Sequence, residues 1–280
     1  SLGFSLGESA QLLALDIWPD REGMRQDLQL SSLFHNDLVN PWRAPRRALG
    51  LPDDETFTWS NLFVELPADQ VLGTLDSASP VYLLARVGPE ACLVGGEDRS
   101  VRAWARRHAP DRFVPLPDAT AAHCPAAQPA LKAYRELHTR PVQPRPGITC
   151  HFASIAGPVP LEEGPLAEAF VRGLLHPLDF PATIRRMHAG GVRHFLEVGP
   201  GSSCTRWAGL SLPDLPHHAL ALQPGPAADL QGIDAFVQGL AHVAVHRLGW
   251  RMPDTLRTAH SPVSGLSDAP VLAEVPLAPH

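Results

Sequence analysis

Residues 59–117 carry strand and helix patterns in an order that few folds share. Four short apolar runs are typical of strands, and a helical pattern follows the first and the third of them. The strands are predicted at Ser60–Leu66, Pro80–Val87, Ala91–Gly96 and Arg112–Pro117, and the helices at Pro67–Ala78 and Glu97–Ala109. Proline is tolerated at the first position of a helix, and the second helix has Val101 and Trp104 on one face and its arginines on the other. The order β-α-β-β-α-β predicts a ferredoxin-like subdomain.

The segments on either side of this subdomain also mix helices and strands. Helical patterns cover Ser9–Trp18, the stretch onward to Phe34, Ala126–Thr139, Pro165–Gly191 with a break at Pro177, and Asp229–Trp250. Strand patterns cover Gly147–Gly157 and Val192–Gly201. Residues 251–280 are rich in Pro, Ser and Ala with little periodicity, which is typical of a linker or tail. We therefore predict a large α/β domain, built from residues 1–58 and 118–250, that is interrupted by the small domain at 59–117.

The composition limits the partners and the compartment. The 280 residues are 44% hydrophobic and 19% charged, as in globular domains, and the formal net charge of -6 argues against nucleic acid or an anionic membrane as main partner. No apolar run approaches the roughly 18 residues of a membrane span. The four cysteines are far apart without a CxxC pair, so we expect no metal site and a reduced, cytoplasmic chain. Because the chain opens on a motif and without an initiator Met, we expect it to be an excised or truncated piece of a longer protein.

The first residues contain a serine with a small residue two positions away on each side, in the pattern G-x-S-x-G from Gly3 to Gly7. A sharp turn between a strand and a helix needs this pattern, and it exposes the hydroxyl of Ser5 at the start of the helix. There the helix dipole and the free N–H groups stabilise a developing negative charge. The alternative, a glycine-rich helix start with an inert serine, stays open because the pentapeptide is short.

A nucleophilic serine needs a base, and the chain has fourteen histidines. His123 directly follows the last predicted strand of the small domain, so it lies near the seam between the two domains, where ligand sites usually form. The other histidines have no comparable placement and are typical of surface or satisfied core positions. The turn Gly199-Pro200-Gly201, between a strand and a helix, either supplies backbone groups to a site or serves packing alone.

Together these motifs resemble a known family. The order of "GFSLGE", the βαββαβ insert, "HCP" at His123–Pro125 and "FLEVGPGSSCTRW" is similar to the acyltransferase (malonyl/acyl-CoA:acyl-carrier-protein transacylase) domains of fatty acid and polyketide synthases. The stretch "LLHPLDFPATIRRMHAGGVRHFLEVGPG" is similar as well. The resemblance runs from Ser1 to about Trp207 and extends through the helix that ends at Trp250. Within the family, "GFSLGES", "DIW" and "SSLF" look most like the subunits of polyunsaturated fatty acid and heterocyst glycolipid synthases.

The resemblance implies an α/β-hydrolase-like large domain with an inserted ferredoxin-like small domain. It also implies that Ser5 carries the acyl group, that His123 is the base, oriented by a backbone carbonyl, and that the N–H of Leu6 is one oxyanion-hole donor. The reaction would be a ping-pong transfer from acyl-CoA to the phosphopantetheine thiol of an acyl carrier protein, with neighbouring synthase domains as partners. No bound cofactor and no metal are expected.

Three departures from the family pattern affect the substrate. Phe4 stands where the family usually has His directly before the nucleophile. Malonyl-specific members carry an Arg about twenty-five residues after the serine as a bidentate clamp for the free carboxylate, but Leu28–Phe34 contains no arginine here. Arg25 comes too early, and we keep Phe4 and Arg25 as substrate-binding candidates. We also expect this sequence to lack the segment with the second oxyanion donor, a Gly-Gln motif in the family.

The missing clamp indicates a monocarboxylic acyl group, a relaxed specificity or lost activity. We predict that malonyl-CoA is not preferred over acetyl-CoA or longer acyl-CoA. Two rival functions stay open from the sequence: a non-catalytic module that docks carrier protein or neighbouring domains, and a serine thioesterase or hydrolase that passes the acyl group to water.

Overall fold

The structure is a computed structural model, and it describes residues 1–52, 56–76, 78–223 and 239. Apart from Gly239, the predicted helix over Asp229–Trp250 lies outside the described residues, as does the predicted tail over 251–280. The first part of the chain forms β1 (Leu2–Gly3), α1 (Gly7–Ala14), α2 (Arg21–Leu30), a π-helical turn (Leu33–Asp37) and α3 (Arg43–Ala48).

The small domain has the predicted order of elements. It consists of β2 (Trp59–Val64), α4 (Ala68–Thr74), β3 (Val81–Gly88), β4 (Ala91–Glu97), α5 (Asp98–His108) and β5 (Phe113–Pro115). These strands form an antiparallel sheet in the order β5-β2-β4-β3, and α5 begins where the Glu97 carboxylate accepts the N–H groups of Arg99 and Ser100. Val101 and Trp104 pack on the sheet in a buried cluster, as their spacing on one helix face predicts.

The remaining described elements continue the large domain. They are a 3-10 turn (Pro125–Ala130), α6 (Leu131–His138), β6 (His151–Phe152), β7 (Gly157–Pro158), α7 (Glu163–Leu175), β8 (Leu178–Asp179), α8 (Phe180–Ala189), β9 (His194–Glu197), α9 (Ser203–Ser211) and β10 (His218–Ala221). The mixed α/β architecture with a ferredoxin-like small domain is the fold that the sequence predicted.

The small sheet gains a fifth strand from the large domain. β8 pairs in parallel with β3, with Ala85 opposite Leu178 and Arg86 opposite Asp179. The helical pattern over Pro165–Gly191 predicted only a break at Pro177, because a two-residue strand leaves no periodic signal. Through β8 the small sheet is joined by backbone hydrogen bonds to the segment between α7 and α8.

A short parallel pairing places the start of the chain beside β6. β1 pairs with β6, Leu2 opposite His151 and Gly3 opposite Phe152, and β7 pairs antiparallel with β6. The sequence predicts a strand with a turn after it over Gly147–Gly157; the segment contains the two-residue β6, a turn with Ala156 at a φ of +51° and the first residue of β7, and so forms a hairpin.

The predicted buried strand over Val192–Gly201 is a shorter, half-buried one. β9 covers His194–Glu197 and pairs in parallel with β10, its only strand neighbour among the described residues. A strand with one neighbour keeps part of its surface open, which accounts for the half-burial of all its residues.

The large domain's main core lies between α1, α6 and α7. Its largest fully buried members are Trp18, Phe152, Leu12, Leu166 and Leu174. Each such side chain stabilises the fold by about 1.5–3 kcal/mol relative to exposure to water. This shared core fixes α1 against α7, the two helices whose ends form the site described next.

Candidate active site

Ser5 occupies a tight turn between β1 and α1. β1 ends at Gly3, α1 begins at Gly7, and Ser5 has a φ of +54°. The N–H of Gly7 donates to the carbonyl of Phe4 and the N–H of Glu8 donates to the carbonyl of Ser5, both at 2.9 Å. A left-handed serine at a strand-to-helix turn is the geometry of a nucleophile elbow.

Gly3 permits the turn because it has no side chain. A Cβ on Gly3 would lie 2.4 Å from the Glu8 Cα and from the Gly7 carbonyl oxygen. A Cβ on Gly7, in contrast, would meet no atom within 4 Å. The first glycine of the motif is therefore needed because two backbone segments approach closely there. The second glycine is not needed to avoid a steric clash.

The structure brings Ser5 and His123 together. The Ser5 Oγ and the His123 Nε2 are 2.8 Å apart, and the His123 Nδ1 lies 2.5 Å from the carbonyl oxygen of Gly173. Because a carbonyl only accepts, the Nδ1 carries the proton, and the unprotonated Nε2 accepts the hydrogen bond of the serine hydroxyl. This is the arrangement of a serine with its general base.

The end of α7 holds the imidazole in place. The last carbonyls of a helix have no intrahelical partner. Here the Gly173 carbonyl accepts from the His123 side chain, and the Leu174 carbonyl accepts from the Cys124 N–H at 3.1 Å. His123 itself has a φ of +64°, which turns its ring toward Ser5. The negative end of the helix dipole also favours an imidazolium when one forms.

Burial sets the charge of the base. Desolvation lowers the pKa of His123 from its usual 6.5, and the bond to the Gly173 carbonyl opposes this in part. The imidazole is therefore neutral at pH 7 and free to accept a proton. Cys124, the adjacent residue, is fully buried, and burial raises the pKa of its thiol to about 12, so it is not a competing nucleophile.

Leu6 lies at the N-cap of α1, and its side chain is 66% exposed. In the part of the chain that the structure describes, its N–H donates to no protein acceptor. It is one of the free donors at a helix start, next to the Ser5 hydroxyl.

Phe4 and Arg25 are placed differently from Leu6. Phe4 is half-buried and packs edge-on against Phe180 and Trp207, with ring centroids 5.8 and 5.4 Å apart. Arg25 is bonded to Glu22 on the exposed side of α2, its Nε 2.8 Å from the carboxylate, and not to Ser5 or His123. The interactions of Phe4 are thus those of a packing residue, and those of Arg25 are those of a surface ion pair.

Two residues at the site were not visible as functional from the sequence. Gly173 supplies only its backbone carbonyl, which leaves no side-chain signal. Glu8 belongs to the motif around Ser5, and the sequence pattern indicates no role for it, although its carboxyl is buried three positions after Ser5. The Gly199-Pro200-Gly201 turn has no hydrogen bond to Ser5 or His123 among the described residues.

The described residues contain no cluster of three or more His, Cys, Asp or Glu side chains suited to a metal ion. Among the described helices, none combines the length and the apolar character needed to cross a bilayer.

The chain is similar in sequence to two kinds of curated proteins. It is 24% identical over 211 residues to the malonyl CoA-acyl carrier protein transacylase of Escherichia coli, and this alignment covers 72% of this chain and 62% of that protein. It is 27% identical over 141 residues to a type I polyketide synthase of phenolphthiocerol synthesis from Mycobacterium marinum, which covers 49% of this chain and 7% of that protein. The chain thus spans less than two thirds of either relative. No protein-family model matches it.

Solved structures share the fold. The acyltransferase domain from the second module of the salinomycin polyketide synthase superposes with a TM-score of 0.61 at 21% identity, over 83% of this chain and 55% of that one. The malonyl CoA-acyl carrier protein transacylase of Clostridium perfringens superposes with a TM-score of 0.54 at 16% identity, over 78% of this chain and 70% of that one. No comparison tests the narrower resemblance to polyunsaturated fatty acid synthases, which stays a prediction. The chain therefore has the fold of polyketide synthase acyltransferase domains and malonyl-CoA:acyl-carrier-protein transacylases, and these proteins are its relatives in sequence and structure.

Proposed function

We propose that this chain transfers an acyl group from acyl-CoA, through an ester on Ser5, to the phosphopantetheine thiol of an acyl carrier protein. The observation that carries the proposal is the 2.8 Å contact between the Ser5 Oγ and the His123 Nε2 at the start of α1. Its relatives support the reaction class, since they are transacylases and synthase acyltransferase domains.

In the first half-reaction, the His123 Nε2 takes the hydroxyl proton of Ser5 as the Oγ attacks the thioester carbonyl. The tetrahedral intermediate carries its negative charge toward the N–H of Leu6 and the start of α1. When the carbon–sulfur bond breaks, the imidazolium returns the proton to the departing CoA sulfur. The products are free CoA and an acyl ester on Ser5.

In the second half-reaction, the carrier protein's thiol enters where CoA has left. His123 takes the thiol proton, the sulfur attacks the ester carbonyl, and the carbon–oxygen bond to Ser5 breaks. The imidazolium then returns the proton to the Ser5 oxygen, so the enzyme regains its starting state. A positioned general base of this kind contributes about 10²–10⁴-fold to the rate.

The Gly173 carbonyl supports both steps. It fixes the tautomer by accepting from the Nδ1, and it stabilises the imidazolium that each half-reaction forms. No carboxylate is needed in this position, since the end of α7 already supplies negative potential.

The proposed donor does not need a free carboxylate on its acyl group. The relatives named as malonyl transacylases act on malonyl-CoA, but Arg25, the nearest clamp candidate in the sequence, is bonded to Glu22. We therefore predict that malonyl-CoA is not preferred over acetyl-CoA or longer acyl-CoA, with the acylation rate measured as CoA release. A preference of about tenfold or more for malonyl-CoA would contradict this, and Arg25 and the arginines within Arg43–Arg47 would then be mutated next.

The proposed partners follow from the reaction. They are acyl-CoA, a phosphopantetheinyl carrier protein and the neighbouring domains of a synthase in the cytoplasm, with no bound cofactor.

One assay separates transfer from the rival functions. The full-length protein is incubated with radiolabelled acyl-CoA, with and without phosphopantetheinylated carrier protein, beside a Ser5→Ala variant. Transfer predicts label on the carrier that depends on Ser5. Ser5-dependent acid release without carrier would indicate a hydrolase, and neither product from a folded protein would favour a docking module.

A further inference from the structure

Glu8 is a buried carboxyl directly below the reactive pair. It follows Ser5 by three residues, lies in the first turn of α1 and is only 3% exposed. Its Oε1 accepts the N–H of Ser154 at 3.0 Å. An acidic residue in the first helical turn commonly faces solvent, so an inward orientation with a backbone partner calls for a role.

The same carboxyl packs against the residue that orients the base. A Cβ on Gly173 would lie 3.4 Å from the Glu8 Oε2 and 3.0 Å from the Ser154 Cβ. The Gly173 backbone therefore faces Ser154 and Glu8 across a space that a methyl group would fill tightly, and its carbonyl accepts the proton of the His123 Nδ1.

Ser154 connects the two helices. Its N–H donates to Glu8 on α1, and its carbonyl accepts from the Arg172 Nε on α7 at 3.1 Å. The neighbouring Ala153 is tied to the segment after α7, since its carbonyl accepts from the Asp179 N–H at 2.9 Å. A single short loop thus links the helix that begins after the nucleophile with the helix that orients the base.

Burial also sets the charge state of Glu8. Desolvation raises the pKa of Glu8 to about 8, while the N–H groups of Ser154 and Ala153 pull it down. Near neutral pH the group is mainly an uncharged carboxyl, so an amide of the same size can replace it. Among the titratable residues around this carboxyl and its loop are Tyr134 on α6, whose pKa Glu8 raises in part, Arg172 on α7, Asp179 beside Ala153, and His123 at Gly173.

We propose that Glu8 is a positioning residue, whose bond to Ser154 and close placement facing Gly173 hold the base-orienting end of α7 at the correct distance from Ser5. This inference rests on the proposed function. It assigns no chemistry to Glu8, which acts through Ser154 and Gly173 on the placement of His123.

The test compares two side chains of similar size. Glu8→Gln keeps an acceptor for Ser154, and Glu8→Met removes it. With the full-length protein, the glutamine variant is expected to acylate within about threefold of wild type, because the hydrogen bond is retained. The methionine variant is expected to lose about 100-fold in kcat with an unchanged KM for acyl-CoA, because a misplaced base slows chemistry rather than binding.

A second readout does not depend on activity. The Nδ1 proton of His123 in the bond to Gly173 gives a downfield proton NMR signal, which should shift or broaden in Glu8→Met and persist in Glu8→Gln. If Glu8→Met does not fold by circular dichroism, Glu8→Asp takes its place, since its shorter side chain cannot reach Ser154 from the same backbone position.

The outcomes separate this inference from the proposed function. Equal kcat and an unchanged His123 signal in folded Glu8→Gln and Glu8→Met would overturn the role of Glu8. Absence of any acylation in wild type, with the signal still shifting in the methionine variant, would overturn the proposed function and leave the positioning role supported.

Discussion

At the scale of single residues, the site depends on two strained backbones. Ser5 and His123 both have left-handed φ angles, +54° and +64°, which cost non-glycine residues about 1–3 kcal/mol each. The surrounding packing maintains this strain. Gly3 contributes to that packing because, without a side chain, its backbone lies directly against the first turn of α1. Strain of this kind turns the hydroxyl and the imidazole toward each other.

The two glycines of the elbow should therefore differ on substitution. Gly3→Ala places a Cβ 2.4 Å from backbone atoms, so we expect loss of acylation by about 100-fold or more and a lower melting temperature. Gly7→Ala is the matched control, since its Cβ meets no atom and alanine favours helices. Acylation rates and thermal unfolding of both variants test this, and equal behaviour would show that the elbow does not need Gly3.

The charge state of His123 gives a pH prediction. Only the neutral imidazole accepts the serine proton, and burial lowers the pKa of His123 below 6.5. Acylation should therefore fall toward acidic pH with a midpoint below 6.5, as the folded protein's imidazole gains a proton. Stopped-flow acylation rates from pH 4.5 to 8 measure the midpoint, and a midpoint above 6.5 would contradict the geometry.

At the residue level, the sequence singled out side chains that have a distinctive neighbourhood. Ser5 was visible through its flanking glycines and His123 through its place after the small domain, and the structure puts them in contact. Gly173 and the loop at Ser154 were not visible, because backbone groups act there and any residue type carries them. Catalytic roles for Ser5, His123 and Leu6 stay predictions until tested.

At the scale of elements, the end of α7 orients the His123 imidazole. Its last turn offers carbonyls to His123 and Cys124, and Ser154 is bonded both to Glu8 on α1 and to Arg172 on α7. A Cβ at Gly173 requires α7 or the Ser154 side chain to shift by a few tenths of an ångström.

A pair of glycines within α7 tests this. Gly173→Ala would put its Cβ 3.0 Å from the Ser154 Cβ, so we expect acylation to fall by about tenfold or more while the fold is kept. Gly164→Ala in the same helix meets no atom and serves as the control. Acylation rates per folded molecule, with folding checked by circular dichroism, decide the matter. Undiminished acylation in Gly173→Ala would mean that the position of α7 does not determine the placement of His123.

Elements with strong periodicity were predictable and short pairings were not. The small domain's order followed from local patterns alone. The strand β8 and the β6–β7 hairpin have two residues per strand, and their pairing depends on partners far away in the sequence. Such pairings are set by the assembled fold rather than by a local pattern.

At the scale of the whole molecule, a buried histidine in the large-domain core couples stability to pH. His138 is 3% exposed, stacks on Tyr134 with ring centroids 4.1 Å apart, and lies close to Phe170 and Trp18. Desolvation, with a smaller contribution from Arg140, lowers the pKa of His138 to about 4. Because the folded-state pKa is below the unfolded value near 6.5, the unfolded chain binds the extra proton first.

The sign of the effect follows directly. The contribution of neutral His138 to the free energy of unfolding is fully present above pH 6.5. It falls by about 3 kcal/mol as pH drops toward 4. Urea unfolding of wild type and of His138→Phe between pH 4 and 7 isolates this contribution as the difference in slope. Parallel pH profiles for the two proteins would show that His138 is not neutral in the folded state.

The central claim is that Ser5, activated by His123, carries the acyl group. Intact-mass and peptide mass spectrometry of the full-length protein after brief mixing with acyl-CoA tests it most directly. We predict one acyl mass per chain on the peptide that contains Ser5, absent in Ser5→Ala and formed about 100-fold or more slowly in His123→Ala. A folded wild-type protein without acyl mass from any acyl-CoA tried, or equal labelling of Ser5→Ala, would contradict it.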